Sequence, residues 1–311
     1  MGQDKTSRTS FTAGHFEFQI DGHEPMSYLK NIDGGWAKAA VMDEAVGSDL
    51  HHIKHTSVVE IDPFSLEFGL AGAEPVLKWI QDSWRKDWGR RNGQITHANF
   101  DLFKTFEHEF FDALILETTF PAVDGAAKEA AYMKVKIQPE RVNTKRVDSN
   151  DKVTPRIGQK QKMWLANSFR FVIDGMDDMQ YANKIESFTV KQGIKKMWTG
   201  EDRLPQIEPT KIEFPHITGT ISLGYADQLL KWYDEAVVKG MKAPRAQKSG
   251  GLEFLSPDKK SVLFRVNMYE IGILSAQIQQ ASANQDAIKR VKFELHVGRM
   301  DIDGHNTLGF E

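Results

Sequence analysis

Apolar residues alternate with polar ones at Phe16, Phe18 and Ile20 and, beyond the Asp21-Gly22 pair, at Met26 and Tyr28, the period-two signature of two strands joined by a turn. Phe64, Leu66, Phe68 and Leu70 predict a longer strand. The period then changes: Pro75 suits a first helical turn, and Val76, Ile80, Trp84 and Trp88 at every fourth position predict a helix stopped at Gly89. Ile217, Gly219, Ile221 and Leu223 repeat the strand pattern, and Asp227 is placed to cap a second helix carrying Leu229, Leu230, Trp232, Tyr233, Ala236 and Val237, with Gly240 at its end. Alternation returns in Val262, Phe264, Val266 and Met268, in Ile271 and Ile273, and in Val291, Phe293, Leu295 and Val297. The expected class is mainly β, a β-rich α+β chain in which each half curls its sheets into a barrel or sandwich with one flanking helix.

The two halves are related. Phe16, Phe18, Ile20, Asp21 and Gly22 recur as Phe169, Phe171, Ile173, Asp174 and Gly175, 153 residues on, and Met26, Tyr28, Leu77 and Trp79 recur at the same offset as Met179, Tyr181, Leu230 and Trp232. Farther on the offset is 158, pairing Phe106 with Phe264, Ile115 with Ile273 and Ile137 with Leu295. The five additional residues fall in the Gly- and Lys-rich stretch 239–251, which reads as a loop. Two copies of more than a hundred residues are a domain duplication rather than a solenoid. The expected division is 1–150 for the first domain with its linker and 151–311 for the second with its tail, the polar stretch 140–162 joining them.

Composition narrows the function. Of 311 residues 40 are Lys or Arg and 43 Asp or Glu, a net charge of -3, and there is no cysteine. This excludes a disulfide scaffold and a Cys-ligated zinc protein, and a general nucleic-acid binder needs a clear excess of cations. The polar start lacks the apolar core of a secretory signal, and no stretch approaches the ~20 apolar residues of a spanning helix, so no membrane association is expected. Gly2 and Thr6 complete a myristoylation pattern short enough to arise by chance.

Candidate chemistry is sparse. His51, His52 and His55 form a potential metal patch, but without a recognised ligand spacing they read as a solvated loop. The stretch 107–112 offers His-Glu-x-x-Asp rather than His-Glu-x-x-His, on a strand pattern that spoils one-face geometry, and reads as an exposed strand edge. Asp174, Asp177 and Asp178 lack the final Glu of a calcium loop. Phosphate-binding glycine loops and nucleophile elbows are absent. The run Trp84, Arg85, Lys86, Trp88, Arg90, Arg91 has the residue types that bind single strands, but its tryptophans share a helical stripe with Val76 and Ile80, so it reads as core or interface with cations free to pair acids. No catalytic residue, cofactor site or metal site is expected, and the chain is read as a non-enzyme.

The ordered succession of Phe-x-Phe-x-Ile-Asp-Gly at Phe16 and at Phe169, a second strand, a long loop, an alternating strand, a Leu-Lys-Trp helix and terminal strands resembles the tail-tube family of contractile phages and related contractile injection systems, once per copy. The resemblance implies β-barrels that assemble into six-membered rings and stack into a hollow tube. For a duplicated chain it implies a homotrimer with pseudo-sixfold symmetry, a closed arrangement that leaves no sheet edge unused. It implies partners in sheath, baseplate or tail-terminator proteins, DNA or effectors passing through the lumen, and a place in a virion tail or injection particle assembled in the bacterial host cytoplasm. A baseplate hub or tube-initiator ring is the alternative within the class, and a duplicated β-barrel ligand-binding protein or enzyme the alternative outside it. The family's long loop reaches a neighbouring subunit; it falls here on 34–57 and 187–205, with Trp36, Val41, Met42, Met197 and Trp198 as candidate inter-subunit residues.

Overall fold

The computed structural model describes residues 15–26, 29–45, 52–70, 72–147, 150–153, 164–200, 204–240, 247–279 and 289–303. The first copy runs through β1 (His15–Ile20), β2 (Leu29–Asp33), β3 (Ala37–Ala45), β4 (His52–Ile61), β5 (Phe64–Phe68), α1 (Glu74–Trp84), β6 (Arg91–Ala98), β7 (Lys104–Phe120), β8 (Val123–Asp124), β9 (Met133–Gln138) and β10 (Arg141–Arg146). The second runs through β11 (Phe169–Ile173), β12 (Ala182–Ile185), β13 (Phe188–Met197), β14 (Gln206–Glu213), β15 (Ile217–Ser222), α2 (Asp227–Tyr233), β16 (Lys248–Leu255), β17 (Val262–Ile278), β18 (Arg290–His296) and β19 (Arg299–Asp303). The fold is mainly β.

The sequence offsets translate into structure with one adjustment: β6 and β16 stand 157 residues apart, so four of the five additional residues precede β16 and the fifth falls between β16 and β17. Strand order is β1-β6-β7-β9-β5-β2 in the first copy and β11-β16-β17-β18-β15-β12 in the second, with β10 on β7 and β19 on β17 at equivalent places. Within each copy all these neighbours are antiparallel. Both long strands have 17 residues, and each bends at a non-glycine residue of positive φ, Asp112 at 51° and its equivalent Glu270 at 56°. The Asp112 amide donates to Asn92 Oδ1 at 2.8 Å, which holds the bend in place. The bend lets one strand serve two parts of a curling sheet: the first half of β7 pairs with β6 and β10, the second half with β9. One contiguous apolar core runs through both copies. Phe18 stacks on Phe110 at 5.6 Å in the first, and Phe171 on Phe293 at 6.1 Å in the second.

Several expectations change. The Asp21-Gly22 and Asp174-Gly175 turns are present, with glycine φ of 84° and 74°, but they do not join paired strands. β1 pairs with β6 and β2 with β5, and Met26 meets Phe18 only through an isolated bridge, because the chain crosses there from one part of the sheet to another; Tyr28 lies outside the described residues. The alternation of 64–70 is a five-residue strand, Leu70 being buried beyond its end. Helix α1 stops at Trp84 rather than Gly89: Lys86 takes φ 66°, and the Asp87 amide donates to the Asp82 carbonyl at 2.9 Å in a left-handed cap. Asp227 does not cap α2; it is the first helical residue, and the chain continues through a π-helical turn, Asp234–Val238, before Gly240 at φ 67°. The joining stretch begins with β10, on the edge of β7.

Candidate inter-subunit surface

The segments read as long loops are β-hairpins. Strands β3 and β4 pair antiparallel from Ala37 opposite Ile61 to Ala45 opposite His52, and β13 and β14 from Lys191 opposite Glu213 to Met197 opposite Gln206. Strict alternation of burial is missing from the first hairpin and from the outer half of the second, beyond Gln192, where the strands project from the core, and that is why periodicity did not reveal the hairpins. The second hairpin extends the first copy's sheet: Phe188, Thr189, Val190 and Lys191 of β13 lie opposite Phe120, Thr119, Thr118 and Glu117 of β7. A shorter pairing sets Lys184 and Ile185 of β12 against Asp124 and Val123 of β8.

This inner junction is dense. Phe120, fully buried, stacks on Phe188 at 4.8 Å, and Trp84 packs on both Phe120 and Phe214 at 6.0 Å. The hydroxyls of Thr119 and Thr189 are 2.8 Å apart, and Ser187 Oγ donates to the Phe120 carbonyl at 2.8 Å. The end of α1 docks on the second copy by polar contacts. Gln81 Nε2 donates to the Ile302 carbonyl at 2.5 Å, Ser83 Oγ donates to Gln192 Oε1, and Arg85 grips Asp301 through Nε and Nη2 at 3.1 and 2.7 Å. Arg90 pairs with Glu140 and with Glu208 at 2.9 Å and donates to the Ile207 carbonyl at 2.7 Å, while Glu140 also accepts from the Ile207 amide at 2.8 Å.

The basic run 84–91 is therefore largely committed to acids of this same chain: Arg85 to Asp301, Arg90 to Glu140 and Glu208, Arg91 to Asp82. Its tryptophan Trp84 is 5% exposed, an interface residue between the copies. The candidate inter-subunit residues sit on the hairpins. Trp36 is 53% exposed at the start of the first, its ring meeting His108 edge-on at 4.6 Å. Val41 and Met42 project from β3, while Met197 ends β13 and Trp198 follows it, all exposed. Ile53 and Val58 on β4 join them, and sequence reading missed both. It also missed Val237, Val238 and Ile278, which are exposed on the second copy. The offsets hold the signal: Val237 stands where the first copy has Trp84, and Ile278 where it has Phe120.

His52 and His55 lie on β4 and face Asp43 at 3.0 Å and Glu44 at 3.9 Å across the hairpin, and His51 lies outside the described residues. Among the described residues no group of three or more His, Asp or Glu is arranged to hold a metal ion, and no helix is long and apolar enough to cross a membrane. The stretch 107–112 is not an exposed edge, since β7 is paired with β6 on one side and β10 on the other. His108 is buried there beside His97 at 5.3 Å, its Nδ1 2.9 Å from Thr144 Oγ1; burial and the neighbouring imidazole push its pKa down to about 4.

Residues 12–143 match the family model of the T4-like virus tail tube protein gp19. Among solved structures the chain resembles one from the baseplate of the anti-feeding prophage, with 14% identity over 46% of this chain and 99% of that one at a TM-score of 0.39. A second comes from the sheath-tube complex, in its extended state, of an extracellular contractile injection system, PVC, with 15% identity over 45% and 95% of the two chains and a TM-score of 0.40. A third is Hcp1 from Flavobacterium johnsoniae, with 12% identity over 44% and 94% and a TM-score of 0.27. No curated protein matches the chain. The match to the T4-like tail-tube family model thus lies in the first copy, and the second copy repeats the strand order of the first.

Proposed function

We propose that this chain is a ring-forming structural component of a phage tail tube or a related contractile injection apparatus, in which three chains supply six tail-tube domains around a hollow pseudo-hexamer. The observation that carries the reading is the tail-tube match to 12–143 in a chain whose second copy repeats the fold and joins the first edge to edge through β13 and β7. An open array of such joints leaves one unsatisfied edge at each of its two ends, and closing it into a ring removes both. The two domains divide near residue 150. Stacked rings form a conduit for DNA or effectors, a near-neutral chain of net charge -3 being suited to a wall that does not retain a polyanion. Its partners are further copies of itself and sheath, baseplate or terminator proteins, and its place is the tail or injection particle assembled in the host cytoplasm. The role is mechanical, with Trp36, Val41, Met42, Met197 and Trp198 acting in contacts between subunits.

Negative-stain electron microscopy of the purified chain, with solution mass measured over a range of concentrations, tests this. Trimeric rings that stack into hollow tubes are expected. Rings that never stack would make the chain a hub or tube initiator, present once per particle, and a monomer at every concentration would refute the ring.

A further inference from the structure

The inner junction joins residues 188–191 of β13 to residues 117–120 of β7, and the duplication gives each partner an equivalent elsewhere in the chain. The equivalent of 117–120 is 275–278, the last four residues of β17; the equivalent of 188–191 is 35–38, the start of the first hairpin. Among the described residues, 275–278 pair only with β18, and 35–38 only with the return strand of their own hairpin and the residue beside it. Each therefore keeps one open edge, and the two edges are the two halves of a junction this chain already forms once.

The side chains around these edges agree. Phe120 is fully buried in the inner junction, whereas Ile278 in its place is 56% exposed; Trp84 is 5% exposed, whereas Val237 in its place is 42% exposed. Val238 beside it and Trp36 on the facing edge are also exposed. Large apolar groups are thus bare where the first copy has them covered by a second copy. Gly35 bears no side chain, and the Phe64 ring fills the space that a Cβ there would need.

Resting on the ring reading above, we infer that residues 275–278 of one chain pair antiparallel with residues 35–38 of a second copy, Ile278 opposite Gly35, Gln277 opposite Trp36, Ala276 opposite Ala37 and Ser275 opposite Lys38, and that this outer junction lacks the ion pairs that accompany the aromatic contacts of the inner one. The replacements fix its character. The Arg85 and Asp301 pair becomes Val238 and Asn143, Ser83 and Gln192 become Ala236 and Ala39, and Trp84 with Phe214 becomes Val237 with Ile61. No charged pair survives at these three places, so the outer joint closes by burying apolar surface on a strand ladder. Its partner is another copy of this chain, and its strength is insensitive to salt, unlike a joint held by exposed ion pairs.

The test uses the full chain, which contains no cysteine of its own. Ala37→Cys and Ala276→Cys together place two small thiols directly opposite, at a site where the inner junction accommodates the larger Val190 and Thr118. Mild oxidation is expected to give a covalent trimer on a denaturing gel, whereas Ala37→Cys with Ser275→Cys, one residue out of register and on opposite faces, gives none. Native mass spectrometry on the same samples separates the outcomes. Trimers without cross-links would overturn this pairing and leave the ring standing. Cross-linked ladders that pass beyond three chains would support the pairing and overturn the closed ring, and monomers throughout would overturn both. As a second variant, Ile278→Asp substitutes an exposed residue and keeps the fold; it is expected to weaken trimerisation at least about tenfold, while 1 M NaCl leaves the unsubstituted trimer within about threefold of its stability at low salt.

Discussion

The two copies share their strand order and differ most at one face. In the first copy that face holds Trp84, Phe120, Arg85 and Arg90 and is covered by the second copy; in the second it holds Val237, Ile278 and Val238 and is bare. A permanent intrachain contact can use large aromatics and semi-buried ion pairs, since both partners are always present to satisfy them. A face that must exist uncovered before assembly does better with smaller apolar groups and no stranded charge. The difference teaches that duplication let one joint become part of the fold while its twin kept the character of an association surface, and substitutions at equivalent positions should separate the two.

The largest effect is expected at Phe120. Phe120→Ala removes a fully buried ring that stacks on Phe188 and reaches Trp84, and should cost about 3–5 kcal/mol of stability in urea unfolding. Ile278→Ala, at the equivalent exposed place, should cost well under about 1 kcal/mol in the isolated chain. Equal losses would erase the contrast between the joints. Arg90→Ala comes next, at about 1–3 kcal/mol, because it strips Glu140 of its cation and the Ile207 carbonyl of its donor. Arg85→Ala should cost no more than about 1 kcal/mol, its side chain being half in water.

How far the sequence carried these conclusions follows from what each feature depends on. The duplication and its change of offset were legible because equivalent residues such as Phe18 and Phe171, or Ile115 and Ile273, fill equivalent core places and must stay apolar. The barrel or sandwich class followed from period two, and one helix per copy from the Leu-Lys-Trp stripe. Which strands pair was not legible: β1 and β2 are neighbours along the chain but bond to β6 and β5, a matter of closure rather than of local pattern. The inner junction was equally hidden, since nothing about Phe120 alone tells that its cover is Phe188, 68 residues on. Of the interface candidates, Trp36 was found because it lies in the stretch 34–57 that resembles the long loop of the tail-tube family, while Ile278 ends an ordinary strand pattern and becomes conspicuous only beside its buried equivalent.

Acid sensitivity should also divide the copies. Burial and the nearby His97 hold the His108 pKa down to about 4, against an ordinary 6.5, and burial lowers that of His97 as well. As pH falls through 6.5 the unfolded chain takes up protons that the folded chain refuses until about pH 4. Stability is therefore full above 6.5 and declines across the window from 6.5 to 4, by on the order of 1–2 kcal/mol after allowance for partial solvent access. The second copy has Phe254 and Val266 at these places, both buried and neither titratable. Importing them as His97→Phe with His108→Val should flatten that decline in pH-dependent thermal unfolding; an unchanged slope would move its origin to other groups.

The smallest effect concerns how the two helices end. Helix α1 closes through Lys86 at φ 66°, with the Lys86 amide on the Ser83 carbonyl at 3.1 Å and the Asp87 amide on the Asp82 carbonyl at 2.9 Å, whereas the second copy reaches the same left-handed conformation at Gly240, φ 67°. A residue with a Cβ is strained in that region and glycine is not, so Lys86→Gly should stabilise the chain by about 0.5–1 kcal/mol, the relief at the cap outweighing the greater freedom glycine gives the unfolded chain. Gly240→Lys should destabilise by a similar amount. Lys86 is exposed and forms no part of the Arg85 and Asp301 contact, so neither joint should change, and the gain should appear in urea unfolding at low salt and in 1 M NaCl alike. A loss on Lys86→Gly would show instead that the lysine side chain contributes more at this helix end, through its charge at the negative pole of the helix, than the strained backbone costs.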